Sequence, residues 1–145
     1  MKQGVIVTGA SSGIGLATVR LLAEKGYGVV GMARSKKPEV LEKYAQWGAV
    51  YSQGDVICAE DRARALKTAQ EAFGNVYALV NVAGVAPKVR ADILEMTEES
   101  YDTVMNINTK GMMFMTQLVA RAMLAQPRGE GLRGAIVNIS SMSAY

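Results

Sequence analysis

Residues 6–15 read IVTGASSGIG, a short apolar run that stops in glycine and serine. Gly9 can turn the chain sharply where a Cβ would clash. Gly13 and Gly15 let backbone approach an anion and let a following helix pack close to the strand before it. With a strand before and a helix after, the unsatisfied amides of the helix N-terminus point at a phosphate group, and Ser11, Ser12 and Ile14 fall in the same turn. A plain tight turn with serine caps is the simpler alternative. The spacing is Gly-xxx-Gly-x-Gly, and no Gly-Lys-Ser/Thr follows, so a nucleoside triphosphate loop is excluded.

Other chemistry is excluded by what the chain lacks. It has no histidine and one cysteine, Cys58. Zinc sites of the usual Cys/His type, Ser-His-Asp triads and Cys-His dyads are therefore ruled out, as is an internal disulfide. Proton transfer is left to Tyr, Lys, Asp or Glu, and no metal site is expected. The charge of +3 comes from 16 Lys and Arg scattered among 13 acids, with no basic block, which argues against nucleic acid. No apolar run reaches the ~18 residues of a membrane span. The short lead Met1-Lys2-Gln3-Gly4 leaves no room for a signal peptide, so the expected location is the cytoplasm.

The elements that must position these residues alternate between strand-like and helix-like patterns. Strands are expected at 4–8, 29–32, 49–52, 77–81 and 135–140. The first helix ends at Glu24-Lys25-Gly26, a glycine C-cap. A second carries Val40, Leu41, Tyr44 and Trp47, and a third spans about 60–73. A long helix, about 99–125, places Tyr101, Val104, Met105, Asn108, Met112, Met115, Val119 and Met123 at spacings of three and four. An Asn on that apolar face points inward and needs a polar reason to be there. Gly111, one turn on, can permit a kink or bulge. Strands alternating with helices predict a doubly wound α/β fold with a parallel sheet, and 145 residues fit one domain.

Taken together, the motifs resemble the short-chain dehydrogenase/reductase family. TGASSGIG, Thr8 to Gly15, looks like its cofactor fingerprint. GDV, Gly54 to Val56, resembles the turn whose Asp55 and Val56 contact adenine. NVAG, residues 81–84, nearly matches Asn-Asn-Ala-Gly, with Val82 as the departure and Asn81, Ala83 and Gly84 as carried-over cofactor residues. NINTKG, residues 106–111, resembles the long-helix motif that supplies Asn108. IVNISS, residues 136–141, leads to the position of the catalytic serine, Ser141, with Ser140 as the other choice. The resemblance implies a Rossmann-like sheet and a ketone or secondary alcohol as the small-molecule substrate. Asn108 would organise a water relay, and Ser141 would orient the carbonyl.

Dinucleotide folds hold the ribose of NAD with an acid about 20 residues beyond the glycines, whereas an Arg nearby accommodates the 2′-phosphate of NADP. Ala33 stands where the acid would be, followed by Arg34 and Ser35. NADP(H) is thus favoured and NAD(H) is the alternative. The family's proton donor is a Tyr with a Lys four residues later, and no Tyr-xxx-Lys occurs here; Tyr145 has no such partner. The expectation is an N-terminal, cofactor-binding part of a longer reductase, without the later strands and the Tyr/Lys helix. It would assemble as a homo-oligomer or with a complementary C-terminal fragment. A nucleotide-binding or sensing module that never needed the catalytic pair is the alternative from a different class.

Overall fold

The computed structural model describes residues 1–141. Its strands are β1 (Gly4–Thr8), β2 (Gly28–Ala33), β3 (Val50–Gln53), β4 (Ala78–Asn81) and β5 (Ala135–Asn138). All pair in parallel, in the order β3-β2-β1-β4-β5. The helices are α1 (Gly13–Glu24), α2 (Pro38–Trp47), α3 (Ala59–Phe73), α4 (Glu98–Met105) and α5 (Met112–Ala125), with a 3₁₀ turn at Ile93–Glu95. Each strand lies within two residues of its expected position.

A parallel sheet covered on both faces buries every residue of its central strands, so those strands read as continuous apolar runs. β1 and β2 are buried at every position. Alternate residues feed two cores. Ile6, Val30, Met32 and Leu79 meet Ala65, Leu66 and Ala69 of α3 and Met115, Val119 and Met123 of α5. Val5, Val7, Val29 and Val80 meet Val19 of α1 and Val40 and Tyr44 of α2. β1 is flanked by β2 on one side and β4 on the other, so the strand order reverses beside it. Such a reversal leaves a crevice at the carboxyl ends of the strands.

Local sequence explains the helix boundaries. Pro38 opens α2, whose C-cap is Gly48 in the left-handed region, at φ 66°. α3 ends the same way on Gly74, at φ 75°. Thr97 caps α4 by accepting from the Ser100 amide at 3.1 Å.

The expected long helix is not continuous. A π-helical segment, Asn106–Gly111, joins α4 to α5, so the expectation that Tyr101 and Met105 share the inward face is corrected. Both are exposed, and α4 buries no residue at all. The cause is phase. One extra residue in a turn shifts everything after it by about 100° around the axis, so the spacing through Met115, Val119 and Met123 does not extrapolate back into α4. Gly111 sits where a Cβ would lie 2.8 Å from Val56 Cγ2, which lets the segment press against the turn after β3.

Candidate functional site

The crevice beside β1 is a groove of about 640 Å³, within the size range of small-molecule sites. Four turns, those after β1, β2, β3 and β4, supply most of its wall. The first contributes Gly9, Ser11, Ser12, Gly13 and Ile14; the second Arg34 and Ser35; the third Asp55 and Val56; the fourth Ala83 and Gly84. These residues, scattered from 9 to 84 in the sequence, are thus brought together.

The glycine-rich turn has the geometry of an anion cradle. Gly9 has φ 63°, and a Cβ there would lie 2.8 Å from the Ala83 backbone. A Cβ on Gly15 would lie 2.0 Å from the Gly9 carbonyl oxygen, so only glycine lets α1 start this close to β1. Ser12 occupies the N-cap of α1, but its hydroxyl makes no capping bond, and the first turn carries no acid. By contrast α2, α3 and α4 each carry acids in their first turn. The α1 terminus therefore keeps the positive potential that its sisters neutralise.

Side chains from the end of β1, the turn after β3 and the start of α3 brace the groove. Thr8 Oγ1 accepts from the Val82 and Ala83 amides, each at 3.1 Å. Asp61 Oδ2 accepts from the Asp55 amide at 2.8 Å, and that bond foremost holds the Asp61 carboxyl below its ordinary range. Asp55 Oδ1 accepts from the Ile57 amide at 3.1 Å. Arg62 donates to the Val56 carbonyl at 2.7 Å and stands 5.7 Å from the Phe114 ring centroid.

Asn108 lies behind the groove wall and is clamped to one residue. Its Oδ1 accepts from the Val85 amide and its Nδ2 donates to the Val85 carbonyl, both at 2.8 Å. Both ends of the amide are thereby used on backbone, and the polar reason for an inward Asn is this clamp. Val85 and the neighbouring Ile107 line the groove.

Gly15, Asn81, Asn108 and Ser141 are not among the lining residues. Asn81 is buried, and its Nδ2 donates to Thr116 Oγ1 at 3.0 Å and Asn138 Oδ1 at 2.9 Å, tying β4 to α5 and β5. Ser141 is exposed just beyond β5. Tyr145 lies outside the described residues. Sequence reasoning missed Thr8 as a brace and Val85 and Ile107 as wall. The last two adjoin NVAG and Asn108, which was the available signal. Among the described residues, no group of three His, Cys, Asp or Glu side chains could hold a metal ion, and no helix is long and apolar enough to cross a membrane.

The model of the short chain dehydrogenase family matches residues 3–145. The chain is 34% identical over 142 residues to a 2-dehydro-3-deoxy-D-gluconate 5-dehydrogenase of Dickeya dadantii (strain 3937), covering 97% of this chain and 54% of that protein. It is 35% identical over 147 residues to a Drosophila melanogaster 3-hydroxyacyl-CoA dehydrogenase type-2, covering 97% and 57%. Among solved structures, a 3-oxoacyl-[acyl-carrier protein] reductase from Brucella melitensis in complex with NAD superposes with a TM-score of 0.88 at 32% identity, over 99% of this chain and 57% of that one. The chain spans about half the length of these relatives.

Proposed function

From the premise that this chain belongs to the short chain dehydrogenase family, we propose that its groove holds a nicotinamide dinucleotide, NADP(H) in preference to NAD(H), for exchange of hydride between a ketone and a secondary alcohol. The relatives' names are those of dehydrogenases and reductases, and the similar structures include one in complex with NAD and one, a polyketide ketoreductase, with NADPH. When bound, the cofactor supplies or accepts the hydride. The chain's own residues do the holding. The α1 terminus and Gly9 to Gly15 would take the pyrophosphate, Asp55 and Val56 the adenine, and Ala83 and Gly84 a further part of the cofactor.

The observation that carries the preference is the end of β2. Buried Ala33, exposed Arg34 and half-buried Ser35 line the groove there, and no acid from that turn would repel a phosphate. Asn108 acts here as a positioning residue, fixing Val85 in the wall, and Ser141 would meet the substrate carbonyl. No Tyr-xxx-Lys occurs among the 145 residues, so the chain alone should turn over little; measurable ketone reduction by it would overturn that part. Exposed Met113 and Phe114 would suit a second copy or a complementary C-terminal segment.

Titration with NADP⁺ and NAD⁺ tests the reading. NADP⁺ should bind more tightly, and Arg34→Ala should weaken NADP⁺ about tenfold or more, the worth of a hydrogen bond to a charged group, while NAD⁺ changes less than about twofold. Equal losses for both nucleotides would defeat it.

A further inference from the structure

Arg34 and Ser35 sit past the end of β2, on a loop that must hold its shape if it is to tell a 2′-phosphate from a hydroxyl. The neighbouring strand holds it. Tyr51 and Gln53, two apart on β3 and so on one face, each reach a carbonyl of that loop. The Tyr51 hydroxyl donates to the Ser35 carbonyl, and Gln53 Nε2 donates to the Arg34 carbonyl at 3.1 Å.

The bracing extends in two directions. The Tyr51 ring stands edge-on to Tyr44, with centroids 5.0 Å apart at 84°. Tyr44 passes beneath Gly31, where a Cβ would lie 1.8 Å from its hydroxyl oxygen, and donates to the Ala10 carbonyl at 2.8 Å in the glycine-rich turn. In the other direction, the Gln53 carbonyl accepts from Arg64 Nη2 at 2.8 Å. Arg64 pairs with Asp61, whose second oxygen holds the Asp55 amide. Phenylalanines would fill the same space as the two tyrosines. The hydroxyls are needed only for the carbonyls they hold.

We propose that Tyr51 and Gln53 are positioning residues for cofactor discrimination, holding the Arg34–Ser35 segment toward the 2′ substituent, while Tyr44 secures the phosphate turn that both cofactors share. The proposal rests on the reading of Arg34 given above, and its test separates the two. The dissociation constants of NADP⁺ and NAD⁺ are measured for the unmodified chain, Tyr51→Phe, Gln53→Leu and Tyr44→Phe. Tyr51→Phe and Gln53→Leu should each shift the ratio of the two constants about three- to tenfold against NADP⁺, the worth of one neutral hydrogen bond. Tyr44→Phe should weaken both nucleotides together and leave the ratio unchanged.

A merely structural role for Tyr51 would move both constants alike, and an unshifted ratio in both β3 variants overturns the proposal. Equal affinities in the unmodified chain would defeat the Arg34 reading instead, and the shift of the ratio would still decide this one. The loop is also read without ligand. Trypsin can cut after Arg34 and Lys36 but not at Lys37-Pro38, and Tyr51→Phe should speed native-state cutting there at least about threefold, whereas Tyr44→Phe should not. In a preparation that binds neither nucleotide, that rate alone decides, and an unchanged rate overturns the proposal.

Discussion

β2 and β5 are both short apolar strands, Gly-Val-Val-Gly-Met-Ala and Ala-Ile-Val-Asn, yet every residue of β2 is buried and three of the four in β5 are exposed. β2 lies between β1 and β3, with α1 and α2 on one face and α3 on the other. Among the described residues β5 pairs only with β4, at the edge of the sheet. Apolar content makes a strand; the layers laid over it decide whether it is core. The same contrast divides the candidate chemistry. The groove is braced from several elements, whereas Ser141, outside its lining, follows a strand with one partner among the described residues.

Breaking the glycine-rich turn or the centre of β1 should have the largest consequence. Gly15→Ala drives a methyl into the Gly9 carbonyl and should cost about 3 kcal/mol or more, read as a fall in the urea midpoint together with loss of nucleotide binding. Ile6→Ala, in the fully buried centre of β1, should also cost about 3 kcal/mol by the same measurement. Asn108→Ala, which unclamps Val85, should cost about 2 kcal/mol and speed hydrogen exchange at the Val85 amide. Gly13→Ala meets no atom within 4 Å and carries only the strain of φ 51°. It should cost about 1 kcal/mol in the thermal unfolding of the chain. Ile136→Ala on β5 should stay within about 0.5 kcal/mol. A cost there equal to that of Ile6→Ala would abolish the contrast.

A pH titration sharpens the same comparison with the smallest effect. The Asp61 carboxyl is held below its ordinary value, so its bond to the Asp55 amide contributes fully above that value and is lost as pH falls through the lower folded one. Stability should therefore have an acid limb that Asp61→Asn diminishes. An identical limb in the variant would show that this tie contributes nothing.

The positions of the strands and the glycine turn were legible because each rests on local rules: apolar runs for covered strands, and glycine where a Cβ cannot fit. Arg34 was legible from its place after β2, whereas Asp55 and Ala83 were named through the resemblance of GDV and NVAG; all three line the groove. Other features left no local trace. Thr8, Tyr44 and Tyr51 act on carbonyls or amides far along the chain, and nothing in their spacing says so. NVAG singles out Asn81 but not which way its amide points, which is toward α5 and β5. Gly111 pointed to a kink or bulge, and the π segment ends on it, but the extent of the segment and the change of phase across it escaped because three- and four-residue spacings persist on either side.

That segment constrains the chain in its length more than in its composition. Most exposed positions in Asn106–Gly111 can change without altering the path of the helix. Removing any single residue there would turn the path into one continuous helix, rotate α4 relative to α5, and carry Asn108 away from Val85. A one-residue deletion in this stretch should therefore be far more damaging than substitution of Thr109 or Lys110, both exposed. At this point the reading frame of the fold is counted in residues rather than in side chains.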